Sequence, residues 1–304
     1  MLLVFEQLLN GLQYGAMLFM LAAGLTLIFG IMGVINLMHG SFYMVGAYCG
    51  AFAIIQTGSF LAGVLSALLG AGLYGLVVEV TIIRKLYQRD HLYQVLATFG
   101  MILFTNQAMT LIFGRTPPMV EIPAVLAGSV PLGGGLEYPV MRLALIVVGA
   151  VVAVGLWYLV TRTRVGMLVR AGADDREMVD ALGIDIRKLY TAVFGFGAVL
   201  CGLAGVMAAP LLAVEIGMGE RILITTFVVI VIGGVGSVRG ALAGALLVGM
   251  VDSMGRAFLP QLLQMVFTPT IADALGAGLV SASIYVLMAI VLIVRPKGLL
   301  PARG

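Results

Sequence analysis

Apolar residues run through this chain in long blocks, without strand-like alternation, and short clusters of polar residues, glycine or proline cut the blocks apart. A block of about 20 apolar residues is the length of a helix that crosses a bilayer. Leu8 to Phe29 is the first such stretch. Ile31 to Ile55 is a second, broken by Asn36, His39, Gly40 and Ser41, and Phe60 to Ile83 is a third. Gln94 to Phe113, Leu143 to Val160 and Tyr190 to Val214 follow. Ile222 to Leu259 is long enough for two crossings around a glycine-rich break at Gly233 to Gly240, and Leu275 to Val294 is the last. The pattern predicts an all-α fold: a polytopic membrane helical bundle of eight or nine stretches, the second of them broken or re-entrant, forming one domain over residues 1–304.

Composition excludes the soluble alternatives. The chain is 62% AVILMFWYC and 10% charged, whereas a water-facing shell wants about a quarter to a third of its positions charged. The first basic residue is Arg84, so Met1 to Phe29 lacks the positive start of a signal peptide and reads as a retained membrane helix. A net charge of +3 is too small and scattered for nucleic acid. Cys49 and Cys201 lie inside apolar runs and read as small buried hydrophobes.

Position of the positive charge sets orientation, because Lys and Arg in short loops stay cytoplasmic. Three groups qualify: Arg84, Lys85 and Arg89; Arg162, Arg164, Arg170, Arg176, Arg187 and Lys188; and Arg295, Lys297 and Arg303. The segment between Gly114 and Arg142, with half of the ten prolines, is expected outside. Parity then requires an odd number of crossings before Arg84, so either all three early stretches span or the broken second one is re-entrant. Trp157 and Tyr158 suit an interfacial aromatic belt. Gly236, Gly240 and Gly244 form a row at four-residue spacing, and Gly46 with Gly50 another, which lets helix backbones approach within one subunit or toward a second.

The sequence carries no recognisable catalytic pattern. Gly233 to Gly240 reads GGVGSVRG, which lacks the spacing and the lysine of a phosphate loop. Two histidines and no His/Cys cluster give no metal site, and no cofactor is implied. Within the stretches, Glu79 and Asp252 are the acids available for proton coupling, which disfavours a self-sufficient proton-driven carrier.

Two segments carry more information. Polar groups at membrane depth face a bundle interior or a wet cavity, so Asn36, His39, Gly40 and Ser41 are candidate translocation-pathway residues. A helix starting after Gly40 with Ser41 as its cap would turn the positive end of its dipole toward an anionic group; alternatively, Asn36 and His39 hydrogen-bond a neighbouring helix. The second segment, Thr161 to Lys188, holds six basic and five acidic residues. Asp174 and Glu177 have capping-box spacing, Met178, Val179, Ala181 and Leu182 give an apolar side, and Gly183 stands where a glycine stop belongs. This predicts a short helix of about eight residues, roughly 12 Å long, outside the bilayer. Having no core of its own, it needs a partner or the membrane surface.

Four runs, GLTLIFGIMGVINLMHGSFYMVGAY (Gly24 to Tyr48), TRTRVGMLVRAGADDREMVDALGIDIRK (Thr161 to Lys188), VIGGVGSVRGALAGALLVG (Val231 to Gly249) and RPKGLLP (Arg295 to Pro301), resemble the membrane permease subunits of bacterial ABC importers for branched-chain amino acids. The resemblance spans nearly the whole chain. It implies a multi-pass protein of the bacterial cytoplasmic (inner) membrane that moves a small amino acid and is not itself an enzyme. It further implies a homologous second permease, two ATPase subunits and an extracytoplasmic solute-binding protein. By the same resemblance, residues 161–188 are a cytoplasmic loop that couples to the ATPase. Gly166, Arg170, Ala171, Asp175 and Gly183 match the loop pattern, and Asn36, His39 and Gly40 match the second-helix pattern. Ser41 departs from it, since many members carry an acidic residue or glutamine there. Related importers for urea or short amides, and a self-sufficient carrier or channel, are the alternatives.

Overall fold

The computed structural model describes residues 2–133 and 135–301, with Arg176 and Glu177 as backbone only. It is a helical bundle: α1 (Leu2–Met32), α2 (His39–Thr57), α3 (Phe60–Val78) with a π-helical turn (Glu79–Ile83) and a last turn α4 (Arg84–Leu86), α5 (His91–Phe113), α6 (Val140–Arg162), α7 (Arg164–Asp174), α8 (Arg176–Ala181), α9 (Ile186–Ala208), α10 (Met218–Gly233), α11 (Val238–Leu263) and α12 (Pro269–Val294). Between α5 and α6 lies a two-stranded antiparallel ribbon, β1 (Ser129–Pro131) and β2 (Glu137–Pro139), a small departure from the all-α expectation.

Seven helices among the described residues are long and apolar enough to cross a membrane: α1, α3 with its continuation, α5, α6, α9, α11 and α12. The others at membrane depth are shorter, α2 with 19 residues and α10 with 16. α1 is the central helix, almost wholly buried from Gly15 to Ile28 between α11, α9, α6 and α10. Its packing is set by glycine. A Cβ on Gly15 would meet the Ala245 backbone, and one on Gly24 would stand 2.9 Å from the Gly197 carbonyl oxygen. Without water to expel between helices, such close backbone approach is a main source of association energy.

Contacts along α1 give a depth scale. At one end the Asn10 carboxamide accepts bonds from the Tyr138 hydroxyl (3.1 Å) and Arg142 (2.6 Å). At the other, the Ile31 carbonyl accepts from the Tyr190 hydroxyl (3.3 Å), among the basic residues that begin α9. Asn10 to Ile31 is 21 residues, about 32 Å at the rise of an α-helix, close to one hydrocarbon thickness. Leu21 therefore sits near half depth.

The second apolar stretch spans. After α1 the chain turns back at Gly33 (φ 62°) and climbs as a short non-helical link, held by Ile35 N–H on Gln94 (3.1 Å) and Leu37 N–H on Thr98 (3.3 Å) of α5. It becomes helical only at His39, and α2 then runs to the face opposite the basic end, where Ser59 caps the returning α3. The sixth stretch is shorter than its apolar run: α9 stops at Ala208, and residues 209–217 turn back to Gly217 (φ 86°), where α10 begins. Helix, link and short helix thus occur twice, α1–α2 and α9–α10, in opposite directions, with Gly24 on Gly197 and Gly40 on Gly219 where the copies meet.

Candidate permeation pathway and coupling loop

The helix break has a structural logic. Met38 stands at the N-cap of α2 without a side-chain cap, and the Asn36 Oδ1 accepts the Met38 N–H (3.1 Å). Ser41 is therefore not the cap: it lies inside the first turn, its N–H on the Met38 carbonyl (2.8 Å), because the helix starts three residues earlier than the sequence suggested. His39 is fully buried, with Nε2 3.2 Å from the Leu21 carbonyl oxygen and 3.0 Å from Cys201 Sγ. Among the described residues, Asn36 Nδ2, His39 Nδ1 and Thr26 Oγ1 are buried side-chain atoms without a hydrogen-bond partner, an uncommon state for buried polar groups. Gly40 packs on α10: a Cβ there would stand 2.0 Å from the Gly219 carbonyl oxygen. Asn36, His39, Gly40 and Ser41 are thus brought together at half depth and, in this conformation, closed off from solvent.

Sequence reasoning missed the first turn of α10. Glu215, Glu220 and Arg221 fell between two expected stretches and carried no assigned role; the structure places Glu220 and Arg221 in the first turn of α10. Glu220 bonds to Asn106 of α5, and Arg221 pairs with Glu215. The available signal was an apolar run ending in an acidic, glycine-bearing link, as the earlier run ends at Asn36 to Ser41. Of the two acids that were noted, Glu79 is fully buried and ion-paired to Arg84 (3.1 Å) at the basic end, and Asp252 pairs with Arg256 (2.8 Å) at the other.

Residues 161–188 form two helices where one was expected. Thr163 caps α7 by accepting the Gly166 N–H (3.1 Å), and α7 folds back so tightly that a Cβ on Gly166 would stand 2.2 Å from the Leu159 carbonyl oxygen. The cap before α8 is Asp175, whose Oδ1 accepts the Met178 N–H (3.0 Å), rather than Asp174, which ends α7; the Glu177 side chain lies outside the described residues. Gly183 closes α8 at φ 82°: its N–H bonds to the Asp180 carbonyl (2.9 Å) and the Ile184 N–H to that of Val179 (3.4 Å), the paired bonds of a Schellman stop. Val179 is buried, whereas Val165, Met167, Met178 and Leu182 are exposed, as are Arg170, Asp174 and Asp175; Ala171 is half-buried. Asp185 caps α9 on the Lys188 N–H (3.2 Å), and this bond, then the Lys188 ammonium, holds its carboxyl below the usual carboxylate range.

Of the expected glycine row, Gly240 and Gly244 pack α11 on Gly233 and Val229 of α10, within the chain. Gly236 lies before the helix at φ 81°, against Gly30.

Two opposed helix breaks meeting inside a bundle of membrane-crossing helices define a polytopic permease-type membrane protein. The comparison with known families gives the particular one: the chain belongs to the family of branched-chain amino acid transport system permease components, whose description matches residues 7–294. It is 29% identical to the high-affinity branched-chain amino acid transport system permease protein BraD of Pseudomonas aeruginosa, over 97% of this chain and 95% of that protein. It is 28% identical to the high-affinity branched-chain amino acid transport system permease protein LivH of Escherichia coli, over 84% of this chain and 86% of that protein. The ribose import permease RbsC of Escherichia coli is 25% identical over 82% and 77%. No solved structure matches the chain.

Proposed function

We propose that this chain forms half of the translocation pathway of an ATP-driven importer for branched-chain amino acids in the cytoplasmic (inner) membrane. A homologous second permease supplies the other half, an extracytoplasmic binding protein delivers the solute, and two ATPase subunits dock on residues 161–188. The chain hydrolyses nothing itself. The observation that carries the reading is the pair α7–α8. It leaves Val165, Met167, Met178 and Leu182 uncovered beyond the ends of the spanning helices, on elements that Gly166 packs against α6 and Gly183 leads into α9. Exposed apolar side chains between charged ones suit a protein groove. Gly166, Arg170, Ala171, Asp174, Asp175, Glu177 and Gly183 belong to this coupling segment, and Asn36, His39, Gly40 and Ser41 to the gate at half depth. ATP-driven movement of α7–α8 is passed to α9, whose side chain Cys201 touches His39, and so to the break in α2.

The test is uptake of labelled leucine into proteoliposomes that hold the full complex, its binding protein and internal ATP, with urea and short amides as competitors. ATP-dependent leucine uptake is expected. Uptake by the chain alone, without ATP or partners, overturns the reading in favour of a carrier or channel, and preference for urea moves it to the related amide importers.

A further inference from the structure

The Glu215–Arg221 ion pair is in the wrong place for a membrane surface. Gly219 packs on Gly40, the residue after His39, and the His39 ring touches Leu21, ten residues or about 15 Å from Ile31 at the basic end. A second ruler agrees. Glu220 bonds to Asn106, which is twelve residues, about 18 Å, along α5 from Gln94, the residue that bonds the extended link just above that end. The first turn of α10 thus begins near the middle of the bilayer, yet the Arg221 and Glu215 side chains are 63% and 42% exposed. Hydrocarbon does not accept an exposed guanidinium or carboxylate at that depth, so charged groups there face a wet cavity or protein.

We propose that Glu215 and Arg221, with Glu220 beside them, line the wet outer half of the pathway and bind the head group of a zwitterionic amino acid. The inference rests on the importer reading above. The chemistry is an exchange of partners: the substrate carboxylate takes the Arg221 guanidinium, the substrate ammonium takes the Glu215 carboxylate, and two ion pairs replace one with no change in net charge. No proton moves and no covalent bond forms. Urea or an amide offers no charges for this exchange and leaves the internal pair closed, so the site selects for the zwitterion and leaves the side chain to apolar neighbours.

The experiment uses the full complex in proteoliposomes, with the half-buried Cys49 of this chain replaced and the fully buried Cys201 kept in place against His39. Arg221→Cys is expected to react with an impermeant, charged thiol reagent from outside, and leucine-loaded binding protein is expected to slow the reaction. Arg221→Gln is expected to lower leucine uptake at least about tenfold, the loss of one charge-assisted contact, and Arg221→Lys to restore part of it. The thiol labelling also reports that the variant has inserted. A parent complex that transports leucine while Arg221→Cys stays unlabelled, or while Arg221→Gln transports normally, overturns the assignment and places the pair under the second permease. A parent complex that takes up no leucine overturns the importer reading, and the zwitterion with it.

Discussion

Gly40 and Gly219 meet backbone to backbone, each occupying the space that a Cβ on the other's helix would need. An added Cβ would stand 2.0 Å from the Gly219 oxygen in one direction and 2.3 Å from the Gly40 oxygen in the other. The obstacle is main chain on both sides and cannot rotate away. Gly40→Ala and Gly219→Ala are each expected to destabilise the detergent-solubilised protein by about 1–3 kcal/mol and to reduce transport. Gly100→Ala and Gly155→Ala, on α5 and α6 where nothing lies within 4 Å, serve as controls and are expected to be neutral or stabilising. Equal thermal midpoints for all four would dismiss the crossing as a packing constraint.

Glu79 is held by groups from two helices: Arg84 of its own continuation and the Thr191 hydroxyl of α9, 2.8 Å away. The Tyr87 hydroxyl is a third donor. Thr191→Val keeps the shape and removes a donor to a buried carboxylate, for an expected loss of about 2 kcal/mol. Thr191→Ser should keep most of the stability. The comparison is thermal unfolding in detergent, and a Val variant as stable as the Ser variant refutes the role of the hydroxyl.

Much of this fold was legible because lipid imposes long apolar runs, and the ends of α3, α5 and α12 fall within a few residues of where those runs end. Gly183 was legible as well, since a glycine after an apolar turn is a local stop signal. Other features depend on distant residues. Glu220 and Arg221 look like a loop until Gly219 is set against Gly40, 179 positions earlier. The helix α7 contains Gly166 and Gly172, which weaken local propensity, and it forms because those glycines let it lie against α6 and beside Ile31 and Leu189. Asp174 and Asp175 are adjacent carboxylates, and composition does not say which one caps.

Orientation follows from the two ends of the bundle. With Cys49 and Cys201 replaced, Glu137→Cys in the exposed ribbon should react with an impermeant thiol reagent from outside, and Met178→Cys, 58% exposed on α8, only from the cytoplasm. The reverse pattern would invert the positive-inside assignment.

The cap at the start of α9 makes stability depend on pH. Asp185 has its folded pKa held below its ordinary value by the Lys188 N–H and ammonium. A carboxyl shifted in that direction contributes stability above its unfolded pKa and loses it as pH falls through the folded one. The stability advantage of the parent over Asp185→Ala should therefore be full at neutral pH and shrink as pH falls through and below the ordinary carboxylate range. An advantage that grows with acid would contradict the cap.

Gly183 links the loop to transport. Its φ of 82° lies in the left-handed region, where a β-branched residue is strained even though nothing crowds the position. Gly183→Val should open the Schellman bonds to Asp180 and Val179, unseat Ile184 and change the angle at which α8 leads into Asp185 and α9. The spanning helices are untouched, so the variant is expected to insert and to assemble. If α7–α8 transmit ATP hydrolysis, leucine uptake and binding-protein-stimulated ATP hydrolysis should fall together, because the two activities share one mechanical link. Gly183→Asn, which tolerates the left-handed region better, should recover part of both. Normal uptake by Gly183→Val would mean that residues 161–188 only connect α6 to α9, and loss of uptake with stimulated hydrolysis intact would place the lesion in the pathway instead of in the coupling.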